Sequence, residues 1–347
     1  YEVMGQIIEK YSGTDHQLIL NLSSGTPQII SALFALNRIN DYNTQAIQVA
    51  TPNKSANRKY VPLSSEDEQK LFDENEDNQK NYEDRTIKDE AEKFNYSLIK
   101  RHLRNLISSY DFLAAEELVT RKEYNKLLSK KKLARLRDIL NDFVKVFKTQ
   151  AILKDIQGYS LTEVEKKALN YFLMIEVLKE RGQVADVLIK SKSYVEFIIE
   201  EKIKKDFPDL IKYDGTFPKL NEEYKDFEAI LDFIDLEFKK AKGIKDEKER
   251  IYSPQSTLNL LSYENILSYY QVSPELLKSI KLINSLNGER NKVAHGLSEI
   301  DSKLVNSRKL QQTIDALRFI LQDTFDIDDS YFTCYRTLNQ EMLDLLR

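Results

Sequence analysis

A strand–helix–strand pattern near the start of the chain constrains the fold more than any other feature of the sequence. An apolar run within His16–Leu22 predicts a buried strand, and Ala46–Ala50 predicts a second one. Between them, Pro27 opens an amphipathic helix, because proline is favoured at the first helical position. Two strands joined by a single helix form a parallel pair, so we expect an α/β sheet here.

A hydroxyl-rich turn, Ser23-Ser24-Gly25-Thr26, joins the first predicted strand to the helix. At such a point, free backbone N–H groups and the helix dipole attract anions. Gly25 permits a close approach of the backbone, and the hydroxyl groups add donors. The turn therefore fits a phosphate or nucleotide site, and it equally fits an ordinary helix cap. A Walker motif is excluded, since its lysine and its glycine spacing are missing.

Helical periodicity dominates the chain from about residue 91 onward. Leu133, Leu136 and Leu140 belong to one of several apolar stripes at helical spacing. Only 9 glycines and 7 prolines occur in 347 residues, which agrees with a helix-rich protein. The preceding stretch is acidic and polar, which is typical of a linker or an insertion. The predicted layout is α/β over residues 1–65, an acidic linker or insertion over 66–90 and helices over 91–347: an α+β multidomain protein.

The net charge and the numbers of cysteine and histidine residues limit which ligands this chain is expected to bind. The net charge of −4 provides no general attraction for nucleic acid. The densest basic cluster, Lys130–Lys132 with Arg135 and Arg137, also fits a solvated helix face. One cysteine and three histidines predict neither a disulfide framework nor a zinc-type ligand set. Because no apolar run is long enough for a membrane span and no signal peptide is visible, we expect a soluble, cytoplasmic chain with no metal and no membrane contact.

A second informative stretch, Asn287–Gly296, carries the pattern Arg-Asn-x-x-x-His. An apolar helix is predicted up to Leu286, and Asn287-Gly288 predicts a break before a new helical turn. On that turn Asn291 and His295, four residues apart, share one face, and Arg290 flanks it. A guanidinium, an amide and an imidazole at a helix end can carry out phosphate chemistry without a metal. A surface arginine followed by a histidine that caps the helix fits the same residues.

Taken together, the two stretches resemble one known family. Asn21-Leu22-Ser23-Ser24-Gly25-Thr26-Pro27-Gln28 is similar to the nucleotide-binding loop of CARF domains. Arg290-Asn291-Lys292-Val293-Ala294-His295 is similar to the Arg-x4-6-His motif of HEPN ribonucleases. A CARF domain followed by a HEPN domain is the layout of the accessory ribonucleases of type III-A CRISPR systems, and the resemblance covers nearly the whole chain.

The resemblance implies the fold: a Rossmann-like CARF domain followed by an all-α HEPN domain. The chain begins at Tyr1 and its first strand pattern appears only around His16, so we expect the start of the CARF domain, with another ligand-binding loop, to be missing.

The resemblance also implies an allosteric ribonuclease in antiviral defence. A homodimer would bind a cyclic oligoadenylate, which we expect to be cyclic hexa-adenylate, and would then cut single-stranded RNA without a cofactor. The implied nucleotide-binding residues are Asn21, Ser23, Ser24, Gly25, Thr26, Gln28 and Asn53.

Arg290, Asn291 and His295 are the implied catalytic residues. The RNA 2′-hydroxyl is the nucleophile, so the enzyme must move a proton and stabilise a crowded phosphorane. With an unperturbed imidazole pKa of about 6.5, His295 can accept and return a proton near neutral pH. Arg290 can stabilise the negative charge that develops on the phosphoryl oxygens. Two alternatives stay open: a nucleotide-regulated HEPN protein without ribonuclease activity, and a purely structural helical adaptor.

Overall fold

A computed structural model describes most of the chain. Two compact units are present, Tyr1–His102 and Leu103–Arg347, and each is described by itself. None of the helices in the described part combines the length and the apolar character needed to cross a membrane. The described residues are 1–12, 18–23, 25–39, 44–50, 64–74, 78–82, 84–88, 91–244, 250–296 and 307–347.

The first unit contains the predicted strand–helix–strand motif. Its β1 and β2 are parallel, with Leu20 opposite Ala46, which confirms the βαβ prediction. Directly after β1, the Leu22 N–H donates to the Ile47 carbonyl at 2.9 Å, and His16 and Gln17 of the predicted strand lie outside the described residues. The elements are α1 (Glu2–Ser12), β1 (Leu18–Asn21), α2 (Pro27–Ile39), β2 (Thr44–Val49), α3 (Ser65–Asp73), β3 (Thr86–Lys88) and α4 (Ala91–Ser108), which continues into the second unit.

Regular structure also occurs in the acidic stretch predicted as a linker or insertion. Ser64 and Asp67 form a reciprocal capping box that begins α3. β3 then adds to the sheet antiparallel to β2, with Thr86 opposite Val49. The stretch therefore contributes an edge strand to the sheet, and the domain boundaries at 65 and 90 stay predictions.

A small apolar core holds the first unit together. Side chains from α1, β1, α2 and β2 meet on one face of the sheet, because alternate strand residues point to the same side. Its buried members are Ile8, Leu20, Leu22, Leu36 and Ala46. This core anchors the carboxyl end of β1, from which the hydroxyl-rich turn leads into α2.

The second unit is a helical assembly with a larger core. The predicted stripe on α6 is confirmed, because Leu133, Leu136 and Leu140 are all buried. The helices after α4 are α5 (Phe112–Thr120), α6 (Lys130–Thr149), α7 (Lys154–Gln157), α8 (Glu163–Glu180), α9 (Val184–Asp206), α10 (Phe227–Lys242), α11 (Leu260–Tyr269), α12 (Pro274–Ser285), α13 (Asn287–Gly296), α14 (Ser307–Thr324) and α15 (Cys334–Leu345), with short 3-10 helices at Lys122–Tyr124 and Asp329–Thr333.

A β-hairpin interrupts this helical unit. β4 (Ile211–Asp214) and β5 (Phe217–Leu220) are antiparallel and turn at Gly215, whose φ of +62° favours glycine. The Tyr213 hydroxyl donates to the Glu200 carboxylate on α9, which also accepts the Tyr263 hydroxyl at 2.7 Å. The sequence analysis predicted helices over residues 91–347, and the hairpin is an addition to that architecture.

The last helix, α15, closes the second unit against its first helices. The Arg135 guanidinium on α6 makes two bonds to the Glu341 carboxylate, at 2.7 and 2.9 Å. The Tyr335 hydroxyl donates to Asn170 Oδ1 on α8 at 2.9 Å, and Arg104 Nη2 donates to the Leu346 carbonyl at 2.6 Å. Residues far apart in sequence therefore complete one core.

Candidate functional site

The Arg-Asn-x-x-x-His stretch lies on α13, directly after α12. Ser273 caps α12 by accepting the Leu276 N–H at 3.1 Å, and Pro274 follows at the first helical position. The break between the helices is at Leu286, one residue earlier than the predicted Asn287-Gly288 break. Gly288 is tolerated inside α13 because it lies in the first turn, where four N–H groups lack intrahelical partners in any helix. The predicted new helix is confirmed.

A polar chain fixes the start of α13. Asn284 on α12 donates its amide to the Glu264 carboxylate of α11, and Asn287 donates to Asn284 Oδ1 at 3.1 Å. Glu264 is buried, and a buried polar group needs hydrogen-bond partners. The chain therefore holds the first residue of α13 against α11 and α12.

Sequence reasoning missed Glu264 and Asn284. Glu264 interrupts the buried run Leu260, Tyr263, Ile266 and Leu267, so a charge within an apolar helix was the available signal.

Arg290 and Asn291 form a pair on α13. Arg290 Nη1 donates to Asn291 Oδ1 at 3.0 Å, and Asn291 is exposed. Arg290 Nε is buried and has no hydrogen-bond partner within the described part of the chain. Asn291 thus holds the guanidinium on one side, and a guanidinium is a group suited to a phosphate oxygen.

His295 belongs to the described backbone of α13, while its side chain lies outside the described residues. The helical register places its Cα one turn after Asn291. α13 packs against α9 and α12. The structure therefore brings Arg290 and Asn291 together, and the position of the imidazole stays a prediction.

The hydroxyl-rich turn of the first unit is organised by its own side chains. The Asn21 carboxamide accepts the Ser23 N–H at 2.8 Å, and the Ser23 hydroxyl accepts the Val49 N–H. These bonds join the carboxyl ends of β1 and β2, where open α/β sheets bind their ligands. Asn21 and Ser23 are exposed.

Gly25 and Thr26 connect this turn to α2. Gly25 has φ +122°, a conformation that disfavours other residues, and an added Cβ would lie 3.4 Å from Ile29 Cγ2. Thr26 caps α2, since its hydroxyl accepts the Ile29 N–H at 3.4 Å. Gln28 is exposed on the first turn of α2. The other two predicted nucleotide-binding residues, Ser24 and Asn53, lie outside the described residues.

Two further predictions concern metal ligands and basic surfaces. Among the residues described, no group of three or more His, Cys, Asp or Glu side chains is arranged to hold a metal ion. Lys130–Lys132 are exposed at the start of α6. Arg135 pairs with Glu341, and Arg137 donates to the Val119 carbonyl at 2.7 Å, so these two arginines support the fold.

Both parts of the chain match known domain families. The family model for the Cas_Csm6 HEPN domain matches residues 146–343. The family model for the Cas_Csm6 CARF domain matches residues 3–86.

Similar full-length proteins agree with these matches. The chain is 60% identical to the CRISPR system endoribonuclease Csm6 of Streptococcus thermophilus, over 100% of this chain and 81% of that protein. It is 31% identical to Csm6′ of the same organism, over 100% of this chain and 78% of that protein.

A solved structure shares the architecture. Enterococcus italicus Csm6, bound to cyclic hexa-2′-fluoro-hexa-dAMP, superimposes with a TM-score of 0.75 at 26% identity. The match covers 99% of this chain and 78% of that chain.

Proposed function

The chain belongs to the Csm6 family of CRISPR endoribonucleases, and on that premise we propose that Arg290, Asn291 and His295 cut single-stranded RNA. The enzyme class follows from the family: an endoribonuclease with a CARF domain and a HEPN domain. The roles of individual residues, the activator and the assembly are our proposals.

The proposed reaction uses the nucleophile that RNA supplies. The His295 imidazole accepts the proton of the 2′-hydroxyl, whose oxygen attacks the adjacent phosphorus. The bond to the 5′-oxygen of the next nucleotide breaks, and that oxygen takes up the proton that His295 removed from the 2′-hydroxyl. The products are a 2′,3′-cyclic phosphate and a free 5′-hydroxyl, and the balance requires neither a metal nor a redox partner.

Arg290 is proposed to stabilise the negative charge that develops on the phosphoryl oxygens. A planar guanidinium offers donors in a fixed fork, which matches a phosphate. The observation that carries this proposal is the Arg290–Asn291 bond of 3.0 Å, which orients the guanidinium beside the exposed Asn291 of α13. An arginine that is already oriented loses little entropy when the phosphorane forms.

We propose that the turn at Asn21, Ser23, Gly25, Thr26 and Gln28 binds a cyclic oligoadenylate, with Ser24 and Asn53 completing the site. The sterically open backbone at Gly25 supports this proposal, as does the bound ligand of the similar E. italicus structure, a cyclic hexanucleotide analogue. Cyclic hexa-adenylate is therefore the proposed activator, with cyclic tetra-adenylate as the competing ring size.

Two copies of the chain are proposed to act together. The Arg290–Asn291 pair on the short helix α13 is partly exposed. If α13 of a second copy faces this pair, two arginines instead of one surround the phosphate. This composite site is a proposal for a homodimer.

The test of the proposed function is cleavage of a fluorescently labelled RNA with cyclic hexa-adenylate, with cyclic tetra-adenylate and without either. We expect cleavage in EDTA, stimulation by the hexa-adenylate ring, and 2′,3′-cyclic phosphate ends by mass spectrometry. Strict Mg²⁺ dependence or 3′-hydroxyl products would contradict the mechanism. Nucleotide binding without any cleavage would favour a regulated HEPN protein that is not a ribonuclease.

A further inference from the structure

A cavity of about 790 Å³ opens in the second unit beside α9. Its walls come from the end of α6 with the residues that follow it, from α8 and from the middle of α9. Volumes of this size are typical of small-ligand sites. α13 packs against the same helix α9, which therefore contributes both to this cavity and to the support of the candidate catalytic helix.

Aromatic rings form one wall of the cavity. Tyr171 on α8 and Tyr194 on α9 lie nearly parallel, with an interplanar angle of 4° and ring centroids 5.9 Å apart. Phe197, one turn further along α9, also lines the cavity and is 37% exposed. A planar ring stacked here would cover apolar surface that water now contacts.

Polar groups lie beside these rings. Tyr194 is 2% exposed, and its hydroxyl has no hydrogen-bond partner among the residues described. Burial holds the pKa of Tyr194 well above its usual value, so the hydroxyl stays protonated at neutral pH. Gln150 and Gln157 add amides that can both donate and accept, and Lys167 is an exposed cation of the lining.

We propose that this cavity binds a nucleobase together with its adjacent phosphate, as one nucleotide of the RNA that the enzyme cuts. Every base has a π-face that stacks on an aromatic ring such as Phe197, and its edges match the amides of Gln150 and Gln157. Lys167 supplies the charge for the phosphate. The proposal rests on the proposed ribonuclease function in naming RNA as the ligand, and a free mononucleotide offers the same chemistry.

The test measures binding rather than cleavage. The probe is a short, mixed-sequence RNA with a fluorescent label, whose 2′-oxygens are methylated so that no nucleophile is present. We expect Phe197→Ser to weaken its binding by about 5- to 100-fold, because one base loses its stacking partner. Phe217→Ser is the matched control, since Phe217 is 59% exposed on the hairpin of the same unit.

Lys167→Gln provides a second variant, at an exposed position where folding is not at risk. We expect it to reduce the slope of log Kd against log salt by about 0.7, as for one lost phosphate contact on a single strand. Lys131→Gln, an exposed cation on α6, should leave that slope unchanged. With unmodified RNA, both cavity variants should raise KM and leave kcat nearly constant, because they weaken RNA binding and leave the proposed catalytic residues unchanged.

The outcomes separate this proposal from the ribonuclease assignment. Unchanged Kd in Phe197→Ser and an unchanged salt slope in Lys167→Gln would overturn the cavity proposal, even if RNA cleavage is normal. A different result is that the protein binds nucleoside monophosphates, that this binding requires Phe197, and that no RNA is cut. It would support the cavity as a nucleotide site and contradict the ribonuclease assignment. Displacement of the RNA probe by a monophosphate would identify a single nucleotide as sufficient, and failure of displacement would identify the RNA chain as the ligand.

Discussion

Arg290 combines two conditions that rarely coincide in one side chain. One guanidinium nitrogen is engaged by Asn291, and another is buried with no partner among the described residues. The buried nitrogen costs about 1–3 kcal/mol of stability, and the bond to Asn291 orients the rest of the guanidinium. We therefore regard this arginine as oriented before the RNA arrives.

Substituting the proposed catalytic residues tests this view. We expect Arg290→Ala or His295→Ala to slow RNA cleavage by about 10²–10⁴-fold, because a charge-stabilising or proton-transferring group is lost. Circular dichroism and the oligomeric state should stay unchanged. Arg121→Ala, at an exposed arginine outside α13, is the control. Wild-type turnover in His295→Ala would refute the assignment.

Glu176 carries a partly buried carboxyl whose ionisation opposes folding. It lines a cavity of about 220 Å³ with Tyr110 and Arg336. Burial raises the pKa of Glu176, and the cations of Arg336 and Arg318 offset this in part. Because the folded chain binds this proton more tightly, stability is greatest below the unfolded-state pKa and falls as pH rises through the folded-state pKa.

Glu176→Gln should therefore raise the thermal midpoint at pH 8 and change it little at pH 4. Scanning calorimetry at the two pH values measures the difference. Glu117→Gln, at an exposed position on α5, should show no such pH dependence. Equal shifts of the Glu176→Gln midpoint at both pH values would show that packing, rather than ionisation, sets the effect.

At the scale of elements, local signals predicted some structures and missed others. Pro27 and two apolar runs were enough for the βαβ motif, because each signal acts within a few residues. The β4–β5 hairpin was missed because Tyr213 is tied to Glu200 on α9, a contact that no periodicity reveals. The Glu264–Asn284 bond was missed for the same reason, since it joins two separate helices.

The turn between β1 and α2 can be tested with two variants of equal shape. Gly25→Glu and Gly25→Gln share the strain of φ +122°, and only the first adds a charge. We expect Gly25→Glu to keep basal cleavage and lose its response to cyclic oligoadenylate, with a smaller loss in Gly25→Gln. The measurement is cleavage rate against activator concentration. An unchanged curve in Gly25→Glu would mean that the turn serves only as a cap.

The joint between α12 and α13 should depend on Asn284. Asn284→Ala leaves the buried Glu264 carboxylate without this donor, which should cost about 1–3 kcal/mol in the free energy of unfolding. Urea unfolding measures the loss, and RNA cleavage should fall as the start of α13 loosens. Ser285→Ala, at the next and exposed position, is the control. An unchanged urea midpoint would show that water replaces the amide.

At the scale of the whole molecule, the proposed function requires two sites to influence each other. The nucleotide turn belongs to the first unit and α13 to the second. A ligand shifts activity only by binding one state of the protein more tightly than another. Loss of activation with intact basal cleavage is therefore the expected signature of damage to the first unit.

Assembly gives a further prediction. If two copies complete one catalytic site, cleavage per chain should rise with protein concentration over the range in which dimers form. Light scattering on the same samples measures the mass. Constant activity per chain in a monomeric sample would rule out the composite site.

The closure of the helical unit by α15 has a consequence for protein synthesis. The partners of Glu341, Tyr335 and Leu346 are made more than a hundred residues earlier, as Arg135, Asn170 and Arg104. While the ribosome is still translating the segment before α15, the apolar faces that this helix covers stay open to water. The helical core therefore assembles only late in translation, and a nascent chain that stops after α13 carries the proposed catalytic motif without the completed scaffold.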